Sequence, residues 1–135
     1  MKTLVYLCFG LLLLSSCNND DDSNTQTPEL VGNWKLIAIY ADPGDGSGTF
    51  QPFESDKTLT FFNDGTVTST GDLCSMFGDL GNPSSGTYSE VDSVITPDDC
   101  QESIPNWNYS FVIEGNSLML YYPCIEACVE KYSKQ

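Results

Sequence analysis

The spacing of turn signals constrains this chain more than any other feature. From residue 33 onward the sequence breaks into short runs rich in Thr, Val, Ile, Tyr and Phe, bounded by Gly, Pro, Asn or Asp. That is the pattern of β-strands separated by turns. Eight runs stand out, at residues 33–41, 57–62, 66–71, 86–90, 92–96, 107–113, 117–122 and 128–133. Three links are tight: Asn63-Asp64-Gly65, Glu90-Val91-Asp92 and Glu114-Gly115-Asn116. Links of this length, two of them holding a Gly that accepts φ > 0, suit antiparallel hairpins. The other four links, 42–56, 72–85, 97–106 and 123–127, are longer. In an up-and-down meander successive connections alternate between two ends. The tight links are the second, fourth and sixth, so they share one end and the longer links share the other. No helix longer than a turn near Pro28-Glu29-Leu30-Val31 is indicated, and no repeat is apparent.

Eight antiparallel strands can close into a barrel, which removes exposed sheet edges. The expected fold is therefore all-β, an eight-stranded antiparallel up-and-down meander closed into a small barrel. A two-sheet β-sandwich is the alternative that the same pattern allows.

Four cysteines, Cys74, Cys100, Cys124 and Cys128, fall in the longer links or at their edges, and so at one end of the meander. An even count in an oxidising compartment favours two disulfides. A zinc site is the weaker reading, because Cys124-x₃-Cys128 has no second pair and the chain has no His. Pairing between neighbouring loops gives Cys74–Cys100 and Cys124–Cys128. Cys100 reaching the last loop, with a longer crossing for Cys74, is the other possibility.

The N-terminus supplies the oxidising compartment. Met1-Lys2 precedes an uncharged apolar run over residues 4–14, followed by Leu14-Ser15-Ser16-Cys17. A basic start, a short apolar core and small residues before a cleavage point describe a secretory signal peptide. The run is about half of the ~20 residues a membrane-spanning helix needs. Residues 14–17 resemble the bacterial lipobox, which implies diacylation of Cys17. Cys8, behind Leu7 in mid-run, does not fit that pattern. One acyl chain holds a protein only marginally, at about 0.8 kcal/mol per buried CH₂, whereas a lipobox Cys carries two or three. Residues 18–24, Asn-Asn-Asp-Asp-Asp-Ser-Asn, hold no apolar side chain and read as a solvated tether. They also resemble the acidic surface-export signal of Bacteroidota lipoproteins. The expected organisation is a signal peptide at 1–16, a lipidated Cys and acidic tether at 17–27, and one β-domain at 28–135. The expected location is the outer membrane, facing the cell surface.

The formal charge of −14, with five Lys and no Arg, argues against a nucleic-acid partner, since phosphate binding needs clustered cations. Without His, a Ser or Cys nucleophile lacks its commonest base. The acidic pairs Asp98-Asp99 and Glu126 with Glu130 have no distinguishing context. No enzymatic activity, cofactor or metal is expected. Asp42 and Asp45 offer hard oxygen ligands for calcium, but their spacing does not match an EF-hand loop.

Gly32-Asn33-Trp34 is similar to the Gly-x-Trp that opens lipocalins, in which the Trp plugs the closed end of the barrel. Taken with Asp42-Pro43-Gly44-Asp45-Gly46-Ser47-Gly48-Thr49-Phe50, Phe62-Asn63-Asp64-Gly65-Thr66 and Tyr122-Pro123-Cys124-Ile125-Glu126-Ala127-Cys128, it makes the chain resemble small lipocalin-like lipoproteins of Bacteroidota. The resemblance implies a lipocalin-like barrel closed by Gly32 and Trp34, and no established activity. The chain is shorter than a typical lipocalin and lacks the Arg that packs on the first-strand Trp, so Lys131 or Lys134 becomes the candidate cation.

Apolar side chains lie in the longer links and at their rim: Phe50, Phe53, Leu73, Met76, Phe77, Leu80, Ile104, Trp107 and Tyr109. They fold down as a lid over the core, or they line the mouth of a pocket. In the second case Phe50, Phe53, Met76, Phe77, Ile104, Trp107 and Tyr109 form a mouth for a small apolar ligand. The competing expectation is a filled barrel that binds another surface macromolecule. In either case the protein is expected to be a monomer held to the membrane by its lipid.

Overall fold

The computed structural model describes residues 29–76, 82–98, 100 and 108–135. The expected signal peptide and tether lie outside the described residues. Nine antiparallel strands follow one another without a helix among the described residues. They are β1 (Gly32–Ala41), β2 (Phe50–Pro52), β3 (Thr58–Phe61), β4 (Thr66–Ser69), β5 (Ser84–Ser89), β6 (Val94–Pro97), β7 (Tyr109–Glu114), β8 (Ser117–Tyr122) and β9 (Cys128–Lys134). The order is β2-β1-β3-β4-β5-β6-β7-β8-β9, and β1 also pairs with β9. That last pairing closes eight strands into a barrel and excludes the sandwich.

The ninth strand is β2, inside a link expected to carry none. β9 occupies one edge of β1 along its length, from Trp34↔Lys134 to Ala41↔Cys128. Both β2 and β3 therefore use the other edge, β3 against Gly32–Lys35 and β2 against residues 38–40. Between them the Phe53 N–H donates to the Ile37 carbonyl (2.9 Å) and the Leu36 N–H to the Lys57 carbonyl (3.0 Å). β2 and β3 are thus two halves of one strand, with residues 54–56 pushed out of line. The polar Glu54-Ser55-Asp56 stretch has no apolar side chain to turn inward, and Pro52 brings no N–H to the ladder. β1 answers with its own irregularity: its register against β9 shifts between Leu36 and Ala38, leaving Ile37 as the extra residue.

Alternation along the strands builds the interior. Trp34, Leu36, Leu59, Phe61, Val67, Ile95, Phe111, Leu118, Leu120 and Tyr132 are buried in one contiguous cluster. Each such side chain contributes about 1.5–3 kcal/mol relative to exposure. Gly86 is required where β5 meets β6, since a Cβ there would lie 2.5 Å from the Thr96 carbonyl oxygen and 2.9 Å from the Pro97 Cα.

Strand bounds shift by a residue or two from those expected, most tellingly around the β5–β6 turn. β5 begins and ends earlier than 86–90, and β6 runs from 94 rather than 92, because residues 90–93 form the turn. Ser89 Oγ donates to the Asp92 carboxylate (2.7 Å), and Ser93 takes a positive φ of 55°. That turn holds no Gly, so a serine bears the left-handed conformation.

Candidate functional site at the stapled end of the barrel

The two ends of the barrel are built differently. At the tight-turn end Gly32 takes φ 124°, a conformation open to Gly. It delivers Trp34 into the barrel floor, fully buried, where the indole N–H donates to the Leu30 carbonyl (2.7 Å). Lys134, not Lys131, lies over the Trp34 ring, with Nζ 5.0 Å from the centroid. The same ammonium donates to the Val31 carbonyl (2.7 Å) and to the Glu29 carbonyl. Gly32, Trp34 and Lys134 therefore seal this end.

The longer links gather at the other end, where both disulfides lie. Cys74 pairs with Cys100 and Cys124 with Cys128, with Cα separations of 5.2 and 5.9 Å. Neighbouring loops are joined, and the crossing from Cys100 to the last loop does not occur. Leu73 and Met76 are buried in the core cluster, and Phe53 packs against it half-buried. Tyr109 is buried at the start of β7, donates to the Cys74 carbonyl (3.3 Å) and meets Tyr122 edge-on at 5.3 Å. Leu73, Met76 and Tyr109 thus cover the core instead of lining an open mouth. Phe50 is a strand residue of β2, not a loop residue. Its partner in register is Tyr40, whose other neighbour is Val129, and this row points away from Glu130 and Tyr132. Phe77, Leu80, Ile104 and Trp107 lie outside the described residues.

Beneath this cover sits a polar cluster that the sequence reading missed. Lys57 and Glu130 are both fully buried, with Nζ 3.1 Å from Oε1 and 3.0 Å from Oε2. Tyr122 and Tyr132 each donate a hydroxyl to Glu130 Oε2, at 2.6 and 2.5 Å, and Lys57 also donates to the Tyr122 hydroxyl oxygen (3.3 Å). Burial, reinforced by the Glu130 carboxylate, pushes Tyr122 well above the ordinary phenol range; burial and the neighbouring Tyr122 and Glu130 do the same to Tyr132. Both hydroxyls therefore stay protonated and act as donors. The available signal was register: Glu130 sits two residues from Tyr132 on one face of a strand. It is not paired with Glu126, which is exposed and lies beside Gly44.

The Asp42 loop is closed by its own carboxylate. Oδ1 accepts from the backbone N–H groups of Gly44, Asp45 and Gly46 (2.7, 3.2 and 3.1 Å), and Oδ2 accepts from Gly48 N–H (3.1 Å) and the Tyr40 hydroxyl (3.2 Å). These donors, led by Gly44, lower the Asp42 pKa. An oxygen ringed by N–H donors is turned away from cation binding. Among the described residues no group of three or more His, Cys, Asp or Glu is placed to hold a metal ion.

Outside the barrel, the break between β2 and β3 leaves a groove of about 500 Å³ lined by residues including Ile37, Phe53 and Glu54. An exposed Lys35–Asp56 ion pair at 3.4 Å flanks it.

A family model described as a lipocalin-like domain matches residues 30–120. No curated protein and no solved structure matches the chain.

Proposed function

Because the chain belongs to the lipocalin-like domain family, we propose that it is a lipid-anchored envelope protein whose barrel is a non-enzymatic binding module, and that its partner engages the barrel from outside. The occupied axis carries this reading. From Trp34 at one end to the Lys57–Glu130 cluster at the other, fully buried side chains follow one another. A small apolar ligand would have to lift Leu73 and Met76 and then rest against a buried ion pair, whose desolvation is offset only while its own partners stay in place.

The anchor rests on Leu14-Ser15-Ser16-Cys17, and the outward orientation on the acidic residues behind it. Cells fed an alkyne-bearing palmitate should label the parent protein, and Cys17→Ser should lose both the label and its place in the membrane fraction. Added protease should cleave the domain on intact cells, and protection until the outer membrane is opened would place it in the periplasm. The filled barrel is tested by native mass spectrometry of the protein taken from its own cells. No co-purified small molecule is expected. A stoichiometric apolar ligand would restore the carrier reading, with its mouth at the stapled end.

A further inference from the structure

We propose that the outer face of β8, β9, β1 and β2 is a docking surface for a basic polypeptide segment that carries apolar side chains. The proposal rests on the reading that the partner engages the barrel from outside, and it names the face and the chemistry.

Two cross-strand rows define the face. One runs Tyr121↔Val129↔Tyr40↔Phe50, the other Met119↔Lys131↔Ala38↔Pro52. All eight positions alternate with the inward-facing residues of their strands. The rows place Tyr121, Tyr40, Phe50, Met119 and Pro52 side by side over the buried Val129 and Ala38, with Lys131 in the second row laid over the Phe50 ring and with Tyr121 38% and Phe50 39% exposed. The link from β8 to β9 is a five-residue ring closed by Cys124–Cys128, and it holds Ile125 fully exposed. Preorganised apolar anchors of this kind gain affinity by losing little entropy on binding.

Charge identifies the partner. The chain has 19 acidic and five basic side chains, and each of the four lysines among the described residues is already engaged. Lys35 faces Asp56 (3.4 Å), Lys57 is buried on Glu130, Lys131 lies over the Phe50 ring (5.7 Å) and Lys134 over Trp34 (5.0 Å). Around the face stand the exposed carboxylates of Glu126, beside Gly44, Glu54, which follows Phe53, and Glu114, on the same side of β7 as Val112. An apolar centre with an acidic rim complements Lys or Arg flanking Leu- or Ile-like side chains. The same charge repels a second copy of this chain and an anionic membrane.

The test uses the intact lipoprotein in detergent micelles and two synthetic peptides of equal charge, one alternating Lys with Leu and one alternating Lys with Ser. The Lys-Leu peptide should bind more tightly, by about tenfold or more, and weaken as salt rises. Phe50→Ser with Tyr121→Ser should bring it down to the level of the Lys-Ser peptide. Met119→Lys, which adds a second positive charge beside Lys131, should do the same. Thr87→Ala, on an outward position of β5, should change nothing. Equal binding of the two peptides, or a Lys-Leu advantage that survives both face variants, would overturn the proposal. So would binding of the soluble C17S chain to phosphatidylglycerol vesicles or concentration-dependent dimerisation lost in the face variants. A small molecule found in the barrel would sink the outside-binding reading and leave the peptide result standing. Indifferent peptides with an unliganded barrel would sink this face alone.

Discussion

Replacing Glu130 with Gln should destabilise the barrel far more than an ordinary side-chain change. Glu130 is fully buried and accepts hydrogen bonds from Lys57, Tyr122 and Tyr132 at 2.5–3.1 Å. Gln keeps the size, removes the charge and turns one acceptor into a donor amide facing other donors. Lys57 is then left fully buried without its counter-ion, a loss of about 3–5 kcal/mol by comparison with other broken buried pairs. A domain of this length has a total of ~5–15 kcal/mol, and each kcal/mol moves the midpoint by about 4–8 °C. The melting temperature should therefore fall by roughly 12–40 °C.

Guanidinium unfolding followed by tryptophan fluorescence reads this directly, since Trp34 is buried in the same core. Lys57→Met should cost less than Glu130→Gln, because the carboxylate left behind keeps two phenolic donors. The double change Lys57→Met with Glu130→Leu removes both charges and should recover much of the loss. A Gln variant within about 1 kcal/mol of the parent, or a double variant no more stable than the weaker single one, would refute the reasoning.

Alkaline pH should unfold the domain through the same cluster. Tyr122 and Tyr132 have folded pKa values raised well above 10.0, so their contribution is complete below the unfolded value and is lost as pH rises beyond it. The denaturant midpoint should fall above about pH 10, and absorbance at the phenolate band should show two tyrosines that titrate only on unfolding. The two disulfides should differ in weight: with sequence separations of 26 and 4, loop-closure entropy gives about 3.5 kcal/mol for Cys74–Cys100 and about 2 kcal/mol for Cys124–Cys128. Paired Ser substitutions compared by equilibrium unfolding check that order. Asp42→Ala should free the backbone N–H groups that close residues 43–48, and limited proteolysis should then cut there faster than in the parent.

The architecture was legible because it depends on punctuation. Asn63-Asp64-Gly65 and Glu114-Gly115-Asn116 mark hairpins by local backbone chemistry alone, and a count of tight and long links then assigns the ends. That count also places Cys74 and Cys100 in adjacent loops, which favoured the observed pairing but left Cys100 to the last loop open until the structure decided it. β2 was not legible. Phe50-Gln51-Pro52 is three residues long and ends in Pro, so its pairing is imposed by the free edge of β1, not by its own pattern. Tyr109 and Met76 were identified as apolar side chains at the stapled end, but sequence does not tell a lid from a mouth. That difference lies in whether the loops have a core to cover. Lys57 and Glu130 were hidden for another reason. In a chain with 19 acidic residues, exposure is the sound default for any one of them, and only the inward register of β9 singles out Glu130.

If Cys17 anchors the chain, the topology also sets which end of the barrel faces away from the membrane. β1 begins at Gly32, beside Lys134 and at the same end as the three tight turns, so the tether reaches the barrel at its Trp34 end. Residues 17–27 can span at most about 3.3–3.6 Å each. The tether is short enough to leave the near and far ends distinguishable. Val91 and Ile125 give matched reporters, at 96% and 102% exposure, one on the β5–β6 turn and one on the β8–β9 link at the opposite end. A fluorophore placed at each position in turn, on lipoprotein held in vesicles with a headgroup quencher, should be quenched more strongly at 91 than at 125. Equal or reversed quenching would show that the barrel lies on its side or inverts on its tether. The stapled end and the Ile125 turn would then have no privileged access to an external partner.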